Sequence, residues 1–81
     1  MSFSVYILKS EKTGKTYTGQ TVHLEKRLLE HNSGKSISTR RNRPWKLVYH
    51  EEYNTRSEAI LRENYFKSVE GRYFLKNQGI L

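Results

Sequence analysis

Hydrophobic residues cluster in two short runs near the start of the chain, at positions 3–8 and 16–21, and both runs contain β-branched and aromatic residues. A polar segment around Gly14 separates them. Such runs, joined by a glycine-containing turn, predict a β-hairpin. Because side chains alternate across a strand, Tyr17 and Gly19 are expected to point to the same face, where the glycine would let a bulky ligand approach.

A third strand is predicted from Trp45 to Tyr53, directly after Pro44, because large apolar residues alternate with other residues there. The alternation groups Trp45, Leu47 and Tyr49. These three side chains are therefore expected to share one face of the sheet.

The segment from Val22 to His31 predicts a helix, because its leucines recur at helical spacing. Thr21 is expected to be its N-cap, and Asn32-Ser33-Gly34 supplies a stop. Arg27 and His31 would then lie beside the buried stripe of this helix.

A second helix is predicted to begin after Thr55, which forms a capping box with Glu58, and to end near Ser68. Residues 70–77 are predicted to add a short terminal helix or turn. Projection at 3.6 residues per turn places three residues of the second helix on one face. They are Ala59, Glu63 and Phe66.

Composition favours one domain with a modest core, because the chain has 81 residues and no internal repeat. No apolar run approaches the roughly 20 residues that span a bilayer, and no secretory signal is recognisable. The chain has no cysteine, which excludes disulfides, thiol catalysis and cysteine-ligated zinc. We therefore expect a single domain over residues 1–81 and a cytoplasmic location.

The chain carries a formal net charge of +7 at pH 7 and has a pI near 9.9. A basic field of this size favours polyanions, with nucleic acid as the leading partner. The alternative is a generally basic surface without such a partner. Cations concentrate in residues 33–44, here called the basic loop, whose Ser, Thr, Gly and Asn content is typical of a loop. The cations expected to bind nucleic acid are Lys35, Arg40, Arg41 and Arg43.

Glu63 is a candidate metal ligand, because an ionised carboxylate in an apolar stripe needs a cation or hydrogen bonds. Mg²⁺ keeps most of its waters, so one carboxylate and the phosphate oxygens of a substrate suffice. The alternative is an ion pair with Arg62, Lys67 or Arg27. The histidines show no spacing typical of a zinc site, and no second acidic cluster indicates a two-metal centre.

The other candidates also have two interpretations each. Arg27 can stabilise the charge of a phosphorane, although arginines beside a core stripe usually extend into solvent. His31 can share a proton or hold a phosphate, or it can simply interact with the C-terminal dipole of its helix. Tyr6 and Tyr17 can act as bases where cations favour the phenolate, or they can pack with their hydroxyl groups at the rim of the core.

Taken together, these segments resemble the GIY-YIG nuclease domain, and especially its small stand-alone members related to the N-terminal domain of the excinuclease subunit UvrC. The resemblance covers residues 3–77 and depends on the order and spacing of its pieces. They are Val5-Tyr6-Ile7-Leu8, Tyr17-Thr18-Gly19-Gln20-Thr21, residues 24–34, Arg43-Pro44-Trp45-Lys46-Leu47-Val48-Tyr49, and Glu58-Ala59-Ile60-Leu61-Arg62-Glu63. The chain departs from the motif name at Ser4 and Thr18, where the name has glycine and isoleucine. It also has Gln20 where some relatives carry a lysine. The loss of that cation would weaken phosphate contact or phenolate formation unless the basic loop compensates.

The resemblance implies an α+β fold with a three-stranded antiparallel sheet flanked by helices. It implies a metal-dependent endonuclease, with Mg²⁺ or Mn²⁺ held by Glu63 and the scissile phosphate between the metal and Arg27. The catalytic residues it implies are Tyr6, Tyr17, Arg27, His31 and Glu63. Our hypothesis is that Tyr6 accepts a proton from the attacking water, while the metal stabilises the leaving 3′ oxygen and Arg27 the phosphorane. Tyr17 and His31 would orient the water and the phosphate, and the two tyrosines can exchange roles.

DNA is the expected substrate, with RNA as a second polyanion of the same chemistry, and Gly19 and the basic loop are expected to contact it. No recognition helix or zinc finger is available to read bases, so we expect structure-directed or weakly sequence-selective binding unless a protein partner supplies specificity. A role in DNA repair or recombination fits such an enzyme. The alternative is a nucleic-acid-binding adaptor module without turnover.

Overall fold

The computed structural model describes residues 2–81, and this part of the chain forms three strands, three α-helices and a short 3₁₀ helix. The elements are β1 (Phe3–Ser10), β2 (Thr16–Thr21), α1 (Leu24–Ser33), the 3₁₀ helix (Arg40–Asn42), β3 (Trp45–Tyr53), α2 (Arg56–Lys67) and α3 (Val69–Asn77). The predicted α+β fold is confirmed. Met1, the first residue of the predicted 1–81 domain, lies outside the described residues.

The sheet has the order β2-β1-β3, and both strand pairs are antiparallel, as the resemblance implied. The central strand β1 is buried from Ser4 to Leu8 because side chains cover both of its faces. On one face, α2 and α3 pack against Val5 and Ile7. On the other face, leucines of α1 pack with Tyr6 and Leu8. Alternation along β1 therefore places Tyr6 on the α1 side of the sheet.

Strand β3 does not keep the predicted alternation along its whole length. Its register with β1 shifts by one residue, which makes Val48 the extra residue of a β-bulge. Before the bulge, Trp45 and Leu47 lie on the α1 side. After it, Tyr49 lies on the other side, with its ring centroid 6.0 Å from that of Phe66. The prediction that Trp45, Leu47 and Tyr49 share one face is therefore wrong for Tyr49.

Helix α1 begins at Leu24, later than the sequence pattern predicted. Thr21 is not its N-cap, because the Thr21 hydroxyl oxygen accepts a hydrogen bond from the backbone N–H of His23 at 3.1 Å and so forms a turn before the helix. The predicted stop is confirmed. Gly34 caps the C-terminus with a left-handed backbone, at φ 88°, which glycine adopts without steric cost.

Helix α2 has the predicted N-cap, since the Thr55 hydroxyl oxygen accepts a hydrogen bond from the backbone N–H of Glu58 at 3.2 Å. Ser68 ends α2 and also caps the N-terminus of α3, the element predicted as a terminal helix or turn. None of the helices within residues 2–81 is both long enough and apolar enough to cross a membrane.

Candidate active site

Tyr6 lies at the centre of the candidate site and is 1% exposed. Its hydroxyl group hydrogen bonds with Nε2 of His31 at 3.0 Å. Burial, together with the neighbouring Tyr17, raises the pKa of Tyr6 to about 12, although Arg27 acts in the opposite direction. Tyr6 therefore carries its proton at neutral pH.

Gly19 lies directly opposite Tyr6 in the pairing of β1 with β2. A Cβ atom at this position would lie 2.6 Å from the Tyr6 hydroxyl oxygen and 3.1 Å from Cε1 of Tyr17. Gly19 therefore makes room for the Tyr6 hydroxyl group within the protein itself. The contact of Gly19 with nucleic acid stays a prediction.

His31 lies in the last turn of α1 and is 0% exposed. Its Nδ1 atom is 2.7 Å from the hydroxyl oxygen of Thr39, so both ring nitrogens have protein partners. Burial and the positive charge of Arg27 lower the pKa of His31, against a smaller opposing effect of Glu30. The imidazole is therefore neutral at pH 7.

Thr39 is a site residue that the sequence patterns did not indicate. It precedes the 3₁₀ helix, is 1% exposed, and its backbone carbonyl accepts a hydrogen bond from Nε1 of Trp45 at 2.8 Å. A threonine in a polar loop has no periodic pattern that marks it as buried. Its burial beside His31 is seen only once the loop is packed against α1 and β3.

Tyr17 packs beside the Tyr6 and His31 rings, with centroid distances of 6.2 Å and 4.9 Å respectively. Its ring centroid is also 6.4 Å from that of Trp45. Among residues 2–81 the Tyr17 hydroxyl has no hydrogen-bond partner, and the side chain is only half-buried. This hydroxyl group is thus available to a ligand.

Arg27 lies one turn before His31 on α1, and its side chain is 35% exposed. Its guanidinium donates a hydrogen bond to a carboxylate oxygen of Glu30 at 3.2 Å. It is also close enough to Tyr6 to lower the pKa of that hydroxyl. The guanidinium is thus partly accessible to solvent.

Glu63 projects from α2 and is 18% exposed, and its Oε2 atom is 2.8 Å from Nζ of Lys67. The ion pair with Lys67 that the sequence offered as an alternative is therefore present. The negative charge of Glu63 makes the smallest of the contributions that raise the pKa of Tyr6, after burial and Tyr17. Its Oε1 atom accepts no hydrogen bond within the described part of the chain, which leaves one hard oxygen donor for a cation.

No cluster of three or more metal-ligating side chains occurs within residues 2–81. A site with a single carboxylate fits Mg²⁺, which binds through one or two carboxylates and keeps several waters. It does not fit zinc, which needs at least three protein ligands. Glu63 is thus chemically suited to a hard divalent cation completed by water and substrate oxygens.

Arg62, another partner suggested for Glu63, binds Glu51 instead. Its Nε and Nη2 atoms lie 2.9 Å and 3.2 Å from the two carboxylate oxygens. The hydroxyl groups of Tyr49 and Tyr53 donate to the same carboxylate, each at 2.5 Å. Arg62 also lies 4.5 Å from the ring centroid of Phe66, which places this network in the packing of α2 rather than at Tyr6.

The cations of the basic loop are all exposed, and the loop follows the end of α1 that carries His31. Arg40 and Arg41 lie on the 3₁₀ helix, whereas the guanidinium of Arg43 packs against Gly34. The cation nearest to Gln20 in the hydrogen-bond network comes from α2 and not from the basic loop. Nη1 of Arg56 donates a hydrogen bond to the side-chain oxygen of Gln20 at 3.2 Å. Arg56 thus brings a positive charge next to Gln20.

Comparison with known proteins identifies the fold and the family. The protein-family model described as the GIY-YIG catalytic domain matches residues 2–77 of the sequence. The chain belongs to the GIY-YIG family. The predicted resemblance to small stand-alone GIY-YIG proteins is confirmed, because UPF0213 proteins match most of the chain.

Three UPF0213 proteins illustrate this similarity. The protein of Staphylococcus saprophyticus is 41% identical over 73 residues, which cover 89% of this chain and 88% of that protein. The protein of Syntrophus aciditrophicus is 48% identical over 68 residues, with 80% and 76% covered respectively. The solution NMR structure of a UPF0213 protein from Bacillus halodurans is 32% identical, has a TM-score of 0.59, and matches over 96% of this chain and 85% of that one.

GIY-YIG membership places the chain in a nuclease superfamily, whose substrate class is nucleic acid and whose members generally depend on a divalent metal. In this GIY-YIG chain, Tyr6, Tyr17 and His31 form one cluster of rings. Arg27 and Glu63 both act on the pKa of Tyr6. Four of the five residues expected to be catalytic thus lie on the α1 side of the sheet, whereas Glu63 projects from α2, and the roles of all five remain proposals.

Proposed function

We propose that this chain is a divalent-metal-dependent endonuclease that hydrolyses phosphodiester bonds in DNA. The observation that carries the proposal is the buried hydrogen bond between Tyr6 and His31, with Tyr17 packed beside both rings and Arg27 one turn before His31 on α1. A pair that only packed would not need its hydroxyl group hydrogen-bonded to a buried imidazole.

Tyr6 needs a proton acceptor in order to activate water. With a pKa of about 12, only about one Tyr6 in ten thousand is a phenolate at pH 8. Nε2 of His31, at 3.0 Å, accepts the Tyr6 proton while the Tyr6 oxygen takes a proton from the attacking water. His31 thus acts in proton transfer as well as in orientation.

Arg27 and Tyr17 are proposed to act on the phosphate. The Arg27 guanidinium keeps its charge at every working pH and matches the geometry of two phosphate oxygens. It stabilises the negative charge that develops on the phosphorane. The Tyr17 hydroxyl, which has no partner within residues 2–81, orients the phosphate or the water.

Glu63 is proposed to hold the cation through the carboxylate oxygen that Lys67 does not occupy. When bound, Mg²⁺ or Mn²⁺ would supply Lewis-acid stabilisation of the leaving 3′ oxygen. Lys67 orients the carboxylate before the cation arrives.

The basic loop supports DNA as the substrate and binding directed by structure more than by sequence, because its cations suit phosphates and the chain offers no element that reads bases. We extend the proposal on this ground to a role in DNA repair or recombination, where branched or damaged DNA is the substrate. RNA presents the same phosphates and is a second ligand to be compared in the test.

A second candidate function is an adaptor that binds nucleic acid without cutting it. The ion pair between Lys67 and Glu63 favours it, because it satisfies the carboxylate without a metal. The free oxygen of Glu63 and the buried pair of Tyr6 and His31 favour the nuclease.

The deciding experiment uses two variants matched at this ion pair. Wild type, Glu63→Gln and Lys67→Gln are incubated with labelled single-stranded, duplex and branched DNA and with RNA, in Mg²⁺ or Mn²⁺. We expect Glu63→Gln to lose about a hundredfold or more in rate, a loss typical of removing one electrostatic catalyst. Lys67→Gln should keep most of its activity because the carboxylate remains.

Folding of both variants is checked by thermal unfolding, and DNA binding is measured without metal. If all three proteins bind DNA and none cuts any substrate, the nuclease proposal fails and the adaptor takes its place. Equal cleavage by wild type and Glu63→Gln would instead remove Glu63 from the reaction.

A further inference from the structure

We propose that Thr39 is a positioning residue that fixes the tautomer of His31 and so connects the arginine-bearing loop to proton transfer at Tyr6. The inference rests on the proposed function for its effect on catalysis. Its structural part, the tautomer, can be measured without any cleavage.

Both nitrogens of the His31 ring have partners inside the protein. Nε2 pairs with the Tyr6 hydroxyl at 3.0 Å, and Nδ1 pairs with the Thr39 hydroxyl at 2.7 Å. The three side chains are between 0% and 1% exposed, so water does not compete for the ring. A neutral imidazole has one N–H donor and one acceptor nitrogen. The partner at Nδ1 therefore decides what Nε2 offers to Tyr6.

Thr39 can direct its hydroxyl proton away from the ring. The backbone carbonyl of Ser36 lies 3.5 Å from the Thr39 hydroxyl oxygen and accepts this proton. The Thr39 oxygen then accepts the Nδ1–H of His31, and Nε2 presents its lone pair to the Tyr6 O–H. Only this tautomer allows His31 to take the Tyr6 proton, because in the other tautomer Nε2 already carries one.

The backbone of Thr39 is held by the start of β3 and by the loop itself. Its carbonyl accepts hydrogen bonds from Nε1 of Trp45 at 2.8 Å and from the backbone N–H of Asn42 at 3.2 Å. Arg40 and Arg41 follow it directly on the 3₁₀ helix. A DNA phosphate bound by these arginines therefore binds to the same short segment that orients His31.

Two substitutions distinguish the effect of the Thr39 hydroxyl group from the effect of the side chain's branched shape. Thr39→Val keeps the branched shape and the backbone carbonyl but removes the hydroxyl, whereas Thr39→Ser keeps the hydroxyl and removes the methyl group. In the valine variant a proton on Nδ1 would be buried without an acceptor, which is costly. His31 is then expected to place its proton on Nε2.

The test records long-range ¹H–¹⁵N correlation spectra of the histidines in the full chain at neutral pH, with His31→Gln used to assign the His31 signals. Wild type and Thr39→Ser should show the Nδ1–H tautomer, and Thr39→Val should change to the Nε2–H tautomer. In cleavage assays Thr39→Val should lose about tenfold in kcat, with little change in KM for DNA, and Thr39→Ser should recover most of that loss.

An Nε2–H tautomer in wild type, or an unchanged tautomer in Thr39→Val, would overturn the inference. Trp45 fluorescence shows whether each variant keeps the loop in place. If the valine variant does not fold, the spectra of wild type and Thr39→Ser still test the proposal. The Nε2–H tautomer of His31 in either protein would contradict it. A protein that shows the expected tautomers but cuts no nucleic acid would refute the proposed function and leave the positioning of His31 by Thr39 intact.

Discussion

Tyr6 is buried and hydrogen-bonded, and these surroundings favour its neutral form. Burial raises its pKa to about 12, and the nearby Arg27 offsets only part of that effect. His31 has the opposite property, because the burial and the positive charge of Arg27 that lower its pKa leave a neutral nitrogen ready to accept a proton. In the proposed reaction, the pair would therefore act as a base only if both members took part.

The pH dependence of cleavage distinguishes this pair from a phenolate base. Because the pKa of His31 is lowered from 6.5, the histidine is neutral above that pH, and kcat/KM should stay level from about pH 7 to 9 and fall only on acidification. A Tyr6 phenolate acting alone would make the rate rise tenfold per pH unit toward its pKa of about 12. The measurement is kcat/KM across this range at saturating metal.

Two variants complete the pH experiment. Tyr6→Phe keeps the ring and should lose cleavage at every pH, since the oxygen that receives the proton of water is gone. His31→Gln should replace the level profile with a rising one. A rising profile in wild type would contradict the proton transfer to His31.

The junction of α2 and α3 is held by Ser68 and Gly71. Ser68 belongs to both helix ends, since its hydroxyl donates to the carbonyl of Tyr65 at 2.5 Å and accepts from the N–H of Gly71 at 3.1 Å. Gly71 lies against the same Tyr65 carbonyl, so closely that any Cβ atom there would overlap the backbone of α2. The two helices therefore depend on a glycine at this crossing.

Substitution of Gly71 by alanine should destabilise the fold, although alanine is the better helix former. The added Cβ meets backbone atoms of Tyr65 and Phe66, which cannot rotate away as a side chain would. We expect the free energy of unfolding to fall by about 2 to 3 kcal/mol, as in an overpacked core. Urea unfolding measures the change, and Lys76→Ala on the exposed face of α3 is the control, expected to stay within about 0.5 kcal/mol. Equal stability of Gly71→Ala and wild type would show that the helices can separate at little cost.

Elements with local patterns were predictable, and contacts set by the assembled fold were not. The turn around Gly14, the Thr55 cap and the bounds of β3 follow from residues adjacent in sequence. The bulge at Val48 depends on how β3 pairs with a distant strand. Thr39 depends on a loop that folds back over α1, so its bond to His31 has no counterpart in spacing along the chain.

Two groups of cations on the molecule are candidates for binding nucleic acid. The basic loop follows the end of α1, next to the buried pair of Tyr6 and His31. A cleft of about 400 Å³ lined by Lys9, Lys15 and Arg72 lies on the α3 side and contains no proposed site residue. Net charge alone does not decide which surface binds nucleic acid, whereas the position of the site favours the loop.

The salt dependence of binding tests this choice with two variants that each lose four charges. One replaces the loop cations Lys35, Arg40, Arg41 and Arg43 by glutamine, and the other replaces Lys9, Lys15, Arg72 and Lys76, which line the clefts around α3. Each lost phosphate contact should reduce the slope of log K against log salt by about 0.9 for duplex DNA and about 0.7 for single strands. The loop variant should therefore lose about three units of slope on duplex DNA if most of its cations contact phosphates.

Fluorescence anisotropy between about 50 and 200 mM salt, without divalent metal, measures these slopes on uncut DNA. The α3 variant has the same net charge as the loop variant, so any general effect of charge appears in both. A larger loss of slope in the α3 variant would mean that DNA binds on the face away from Tyr6. In that case the α1 face could not be the place of cleavage. The basic loop would then add to the net charge of the molecule without contacting DNA.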